Sequence, residues 1–266
     1  MHCHCNSVAL LECLRLLVKP SRLIWNSRAG RSTLADDTAT VNASIVLIGK
    51  FNPAIFTPAW FAKNGLFSDA ELAASELSVA SNSITQFVME WLTIEVQQNR
   101  FFLQVTSDPF LRVLDMTAKI FGELLPHSHV VQIGMNYSEA FILDSTKRRL
   151  ALGRKLAPLG PWGEWGKKIG EASGSAVGGM VALIMRENYE PLSIGFRRVD
   201  VEPYDERFAG RGVTISVNDH RNIVGEKEQE DATVAVGILI ECFEQSIGDA
   251  KQIVNELRNF AKELPI

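Results

Sequence analysis

From Val41 onward the chain switches repeatedly between two arrangements of apolar residues. In short runs they crowd together or alternate; in longer stretches they recur every three or four positions. The first arrangement suits strands, whose side chains alternate between faces, and the second suits helices that bury one stripe. Ala43-Ser-Ile-Val-Leu-Ile-Gly49 is β-branched and apolar and predicts a buried strand. Thr57-Pro58 opens a helix, because threonine accepts from an orphan backbone N–H and proline suits the first helical position. Gly65 stops that helix, and Ser68-Asp-Ala-Glu71 predicts another helical turn. Short strands follow at 76–80, 84–89, 92–97 and 100–106, with a hairpin turn at Asn99-Arg100. Asp108-Pro109 starts a helix to about Leu125, with Leu111, Leu114, Ala118 and Phe121 on one face.

The second half runs through the same order. A strand begins at His129 and continues toward Leu143, and Asp144 is placed to cap a helix that stops before Pro158. Residues 158–175, rich in Gly, Pro and Trp, read as a loop. Strands are expected at 179–187, 192–202 and 213–218, then a long helix from about Asp231 to Leu264. Ser44-Ile-Val-Leu-Ile-Gly49 parallels His129-Val-Val-Gln-Ile-Gly134, and Phe101–Thr106 parallels Val213–Asn218. A repeat this long implies duplication of a supersecondary unit rather than a solenoid. The expected fold is therefore α+β: two copies of a β-α-(β)3-4-α unit, forming a curved antiparallel sheet with helices packed on one face. That plan resembles the TATA-binding protein fold, although a shared fold fixes no function. In the alternating strands, Thr93, Glu95, Gln104 and Ser216 are expected on a partly polar open face.

Residues 1–41 break the pattern and read as a poorly ordered arm, with the first repeat over 42–126 and the second over 127–266. Composition alters this picture little. With 46% hydrophobic and 22% charged residues, the chain is ordinary for a globular body. The net charge of −4 argues against a general nucleic-acid binder without excluding a local basic patch. Cys3, Cys5, Cys13 and Cys242 do not form a disulfide framework and fit a reducing cytoplasm. No run of eighteen apolar residues predicts a membrane span, and the apolar piece at 8–18 lacks the flanks of a secretory signal.

Ile48-Gly-Lys-Phe-Asn-Pro53, Trp60-Phe61 and Val217-Asn-Asp-His220 resemble a sporadically distributed bacterial family of about 250 residues. The resemblance spans about 41–262. It implies a bacterial source and brings no assigned activity.

Candidate chemistry is sparse. His2-Cys3-His4-Cys5 has metal-type donors, but structural zinc sites space their ligands, so no metal site is assigned. Asn218-Asp219-His220-Arg221, at a strand end, is the most site-like cluster. Asp219 and His220 are catalytic candidates as an acid–base pair only if they converge; neighbours on a strand point to opposite faces, and Asn-Asp is also turn chemistry. Asn218 and Arg221 are binding candidates. Trp162 and Trp165, beside Lys167-Lys168, are candidates for base stacking or a protein contact, against a reading in which they tuck the loop onto the body. His127 and His129 share a face only if their stretch is extended. Gly170–Gly179 lacks the Lys-Ser/Thr of a phosphate loop, and Lys147-Arg148-Arg149 and Arg197-Arg198 read as solvated faces. No cofactor is called for.

Three functional readings follow. The first is a cytoplasmic, non-catalytic interaction protein with a protein partner or as a homodimer. The second is a nucleic-acid binder using the curved sheet. The third is a hydrolase using Asp219 and His220. None involves a membrane.

Overall fold

The computed structural model describes residues 38–172, 178–204, 210–223 and 231–265. The His2–Cys5 cluster and most of the expected arm lie outside these residues. The last four arm residues, Thr38 to Val41, instead begin the first strand, β1 (Thr38–Lys50), because they pair with the first strand of the second half. Thr38 also donates its hydroxyl to Glu139 at 2.9 Å.

A single 3-10 turn (Pro53–Ile55) leads into α1 (Pro58–Lys63) and α2 (Asp69–Ala74). Both helices start as their sequences predict. Thr57 Oγ1 accepts from the Trp60 N–H, and Ser68 and Glu71 form a reciprocal capping box. Strands β2 (Glu76–Ala80), β3 (Ile84–Val88), β4 (Leu92–Gln97) and β5 (Arg100–Val105) form a meander, whose last turn falls on Gln98-Asn99 rather than Asn99-Arg100. Helix α3 (Leu111–Ala118) continues as a π-helical turn over Lys119–Leu124. Asp108 does not cap it; its carboxylate faces Lys251 at 3.7 Å, and the N-cap position is Phe110.

The second half comprises β6 (His129–Ile142), α4 (Thr146–Leu156), α5 (Gly163–Glu171), β7 (Leu183–Asn188), β8 (Gly195–Tyr204), β9 (Gly212–Asn222) and α6 (Ala232–Glu263). Ser145, not Asp144, caps α4, accepting from the Arg148 N–H, while Asp144 takes the Arg148 side chain. The expected loop at 158–175 contains a 3-10 turn (Gly160–Trp162) and α5. Gly166 makes this tight connection possible, since a Cβ there would lie 2.1 Å from the Leu159 carbonyl oxygen. Asp231 caps α6, accepting from the Thr233 and Val234 N–H groups. The Thr233 hydroxyl and these amides hold its carboxyl below the usual aspartate value.

The described strands form one open, curved antiparallel sheet in the order β2-β3-β4-β5-β1-β6-β9-β8-β7. The first strands of the two halves meet at its centre, and later strands run outward: β5, β4 and β3 on one side, β9, β8 and β7 on the other. Strand β2 extends the first side alone.

Alternation assigns the two faces. Ala43, Ile45 and Leu47 of β1, Ile133, Met135 and Tyr137 of β6, and Leu103 and Ile215 beside them are buried beneath α3 and α6. The helices contribute Phe121, Leu239, Phe243 and Val254 to the same core. Fully burying side chains of this size stabilises by about 1.5–3 kcal/mol each. Phe56, Phe61, Phe67, Phe87, Phe101 and Phe121 form a continuous aromatic cluster behind β3 to β5. A buried ion pair fixes α6 on β6: Arg258 meets Glu139, which also accepts from Tyr137 Oη at 2.9 Å. Burial pushes the Tyr137 hydroxyl up to about 12.

Candidate interaction surface

The Asn218–Arg221 corner lies within β9, not in a loop beyond it, so its side chains alternate between faces. Asp219, 1% exposed, points to the helix-covered face. There it accepts from Nε and Nη2 of Arg221 (2.8 and 3.2 Å) and stands 3.8 Å from Arg197. Arg197 also pairs with Asp249 of α6 at 2.6 Å, and Arg221 lies over the Tyr189 ring. Asp219 is therefore the anion of a buried clamp between β8, β9 and α6. Burial, reinforced by this carboxylate, raises the pKa of the Tyr189 hydroxyl.

His220, 4% exposed, points to the opposite face. Its ring stacks on Phe196 with 4.6 Å between centroids, and Nε2 lies 3.1 Å from Asn222 Oδ1. Asn222 spends its own N–H on the Ser193 carbonyl, so its Oδ1 is an acceptor and the histidine proton resides on Nε2. Nδ1 is then a buried acceptor without a partner. Burial lowers the His220 pKa below its ordinary value, helped by the cationic Arg186 nearby. Asp219 and His220 are thus not a dyad, and the acid–base reading that needs them to converge loses its geometry. Asn218 shares that opposite face with His220, and Arg221 shares the helix face with Asp219.

Sequence reasoning missed how the face opposite the helices is knit together. Ser44, Asn136, Asn218 and Arg198 line up across β1, β6, β9 and β8 in one register row. Asn218 donates to Asn136 Oδ1 at 2.6 Å, and the Ser138 and Ser216 hydroxyls meet at 2.8 Å. Arg198 pairs bidentately with Asp200. On the first side, Glu95 and Arg100 form an ion pair at 2.8 Å with both side chains 3% exposed. The face opposite the helices is polar, but it is not exposed as expected: Glu95, Asp200, Asn218 and His220 are buried, its charges neutralise each other and its aromatics, Phe102 and Phe196, are buried as well. It is not a basic stacking platform.

Trp162 and Trp165 remain exposed, at 58% and 59%, and meet edge to face at 5.3 Å. They do not tuck the connection onto the body. Seven lysines and arginines stand against three carboxylates between Asp144 and Ala172, so this segment is basic within an acidic chain. Arg148 and Arg149 are committed to backbone carbonyls, of Leu264 and Gly210 respectively, while Arg154, Lys155 and Lys168 are exposed.

The least satisfied surface is the β7 edge. Among the described strands, β7 pairs only with β8. Ile184 is 54% and Met185 64% exposed, and they lie on opposite faces of the strand. Val181 and Leu192 flank them and are also exposed. The signal available in the sequence was the apolar pair itself, but only the strand order shows that its strand ends the sheet.

His127 is exposed in a turn and His129 begins β6, so the two do not share a strand face. Among the described residues no group of three or more His, Cys, Asp or Glu is placed to hold a metal, and no helix is long and apolar enough to cross a membrane. The loop expected at Gly170–Gly179 falls partly outside the described residues; its first residues end α5. No family model matches the chain, and no curated protein matches it.

Proposed function

We propose that this is a non-catalytic interaction protein that takes its partner by strand addition at β7. The observation that carries this reading is the regular, unbulged β7 edge with exposed apolar side chains on both faces. An extended edge of this kind offers a row of backbone N–H and C=O groups as a template for another chain, and natural sheets normally blunt it. The residues expected to carry hydrolysis support this reading by elimination: Asp219 is neutralised in a clamp, and His220 faces away from it. The test is the native mass of the assembly. Met185→Glu is expected to reduce it to one chain, whereas Leu77→Glu on the opposite edge leaves it unchanged. An assembly indifferent to Met185→Glu removes the reading.

A second reading has its own observation. The exposed tryptophan pair, on a basic segment, suits single-stranded nucleic acid, in which bases stack on aromatic rings while cations meet phosphates. It moves the nucleic-acid reading from the curved sheet to α4–α5. A gel shift at low salt with Trp162→Ala/Trp165→Ala tests it: the wild type is expected to bind and the variant at least about tenfold more weakly. No binding by the wild type removes it.

A further inference from the structure

We infer that the chain accepted by β7 is a second copy of this protein, joined by antiparallel β7–β7 pairing centred on Met185, so that two sheets become continuous. This rests on the reading of β7 as the interaction edge.

Symmetry restricts the register. A strand lies antiparallel to its own copy, with each face kept to one side, only about a two-fold axis perpendicular to the sheet. Residues that face each other across that axis must then come from the same face. Leu183, Met185 and Glu187 form one set, and Ile184, Arg186 and Asn188 the other. Centring the axis on Arg186 sets two guanidiniums face to face, and centring it on Glu187 sets two carboxylates face to face; like charges directly opposite destabilise a ladder. Centring it on Ile184 pairs only three residues of β7, Leu183 to Met185. Centring it on Met185 pairs five, Leu183 to Glu187, with no like-charge pair.

The contacts in this register are self-complementary. Met185 meets its own copy at the axis, where a flexible, polarisable side chain fills an irregular gap. Ile184 lies against the partner's Arg186, and in each copy the Arg186 guanidinium is held 3.8 Å above the Phe196 ring. Its aliphatic stem is therefore available to cover Ile184. Leu183 lies against the stem of the partner's Glu187. The most exposed apolar side chains of β7 thus leave water together. An unrelated extended peptide would have to supply this pattern, whereas a second copy carries it. The contact is short, so a concentration-dependent dimer is expected rather than an obligate one.

The full-length chain tests this directly. Light scattering over a concentration series is expected to show the wild type passing from one chain to two. Met185→Cys places the two thiols opposite each other, within disulfide reach; Ile184→Cys sets them two residues out of register, beyond it. Under mild oxidation, Met185→Cys is expected to give at least about fivefold more covalent dimer than Ile184→Cys or the wild type. A wild type that remains one chain at every concentration overturns the second-copy assignment. Equal crosslinking by Ile184→Cys overturns the register. A dimer whose mass Met185→Glu does not change overturns the reading of β7 itself, as distinct from the identity of its partner.

Discussion

The two ends of the sheet solve the same problem differently. Both β2 and β7 are edge strands and both are largely exposed. Strand β2 is five residues long, carries Glu76, Ser78 and Ala80, and its pairing with β3 slips between Leu77 and Val79. Short length and an irregular register are features that stop a sheet edge from accepting another strand; charge does not separate the two edges, since β7 carries Arg186 and Glu187. Strand β7 has unbroken register over six residues and presents Ile184 and Met185. The difference extends inward. Behind β2 and β3 stands the phenylalanine cluster, in which Phe61 stacks on Phe67 at 4.9 Å and meets Phe87 at 5.3 Å. Beside β7 stand half-exposed ion pairs and a cation–ring contact. One end has an irregular edge backed by packed rings, while the other keeps an unbroken register with no further pairing among the described strands.

Mutations that enlarge or erase this contrast are measurable by urea denaturation of the monomer. The largest effect is expected from Phe61→Ala, which opens a cavity in the aromatic cluster and costs about 3–5 kcal/mol. Ile184→Ala at the opposite end, already half in water, costs less than about 1 kcal/mol of monomer stability. A comparable cost for both would erase the contrast.

Ion pairs sharpen it next. Arg100→Met removes a charge-assisted hydrogen bond that Glu95 accepts at 2.8 Å in a buried site and is expected to cost about 1.5–3 kcal/mol. Glu187→Gln, which removes an exposed partner 3.8 Å from Arg197, changes stability by no more than about 1 kcal/mol.

The pH response is a smaller effect and belongs to the β7 side. The folded chain depresses the His220 pKa, so the unfolded chain binds a proton more readily. The contribution of the neutral ring is complete above the ordinary histidine value and declines as pH falls through it toward the folded value. Melts between pH 7.5 and pH 5 should therefore show a steeper loss for the wild type than for His220→Asn. Equal slopes would mean that His220 is not the responsive group. The smallest effect is expected from Leu77→Glu, within about 0.5 kcal/mol, because its strand edge is already exposed and irregular.

Much of this architecture was legible in the residues. Thr57-Pro58, the Ser68–Glu71 box and Asp231 mark helix starts through local hydrogen bonds, which a sequence states directly. The meander from Glu76 to Val105 was readable because alternating residues and turn residues act over short distances. Helix α5 was not readable: its Gly, Pro and Trp content suggests a loop, and what permits the helix is the approach of Gly166 to the Leu159 carbonyl. Asp144 was a plausible cap but lost that role to Ser145, since the carboxylate is engaged by Arg148. At the candidate site, the sequence left Trp162 and Trp165 between an interaction surface and packing onto the body, because their exposure depends on what packs nearby.

The sequence by itself therefore determined most of the elements, the α+β class and the alternation that separates Asp219 from His220, because these follow from side-chain period and local capping. Only the tertiary structure decided how the strands outside the meander pair. The order that puts β1 beside β6 and leaves β2 and β7 at the ends is set by long-range packing, and no local pattern encodes it. That order turns Ile184 and Met185 from ordinary strand residues into an open edge.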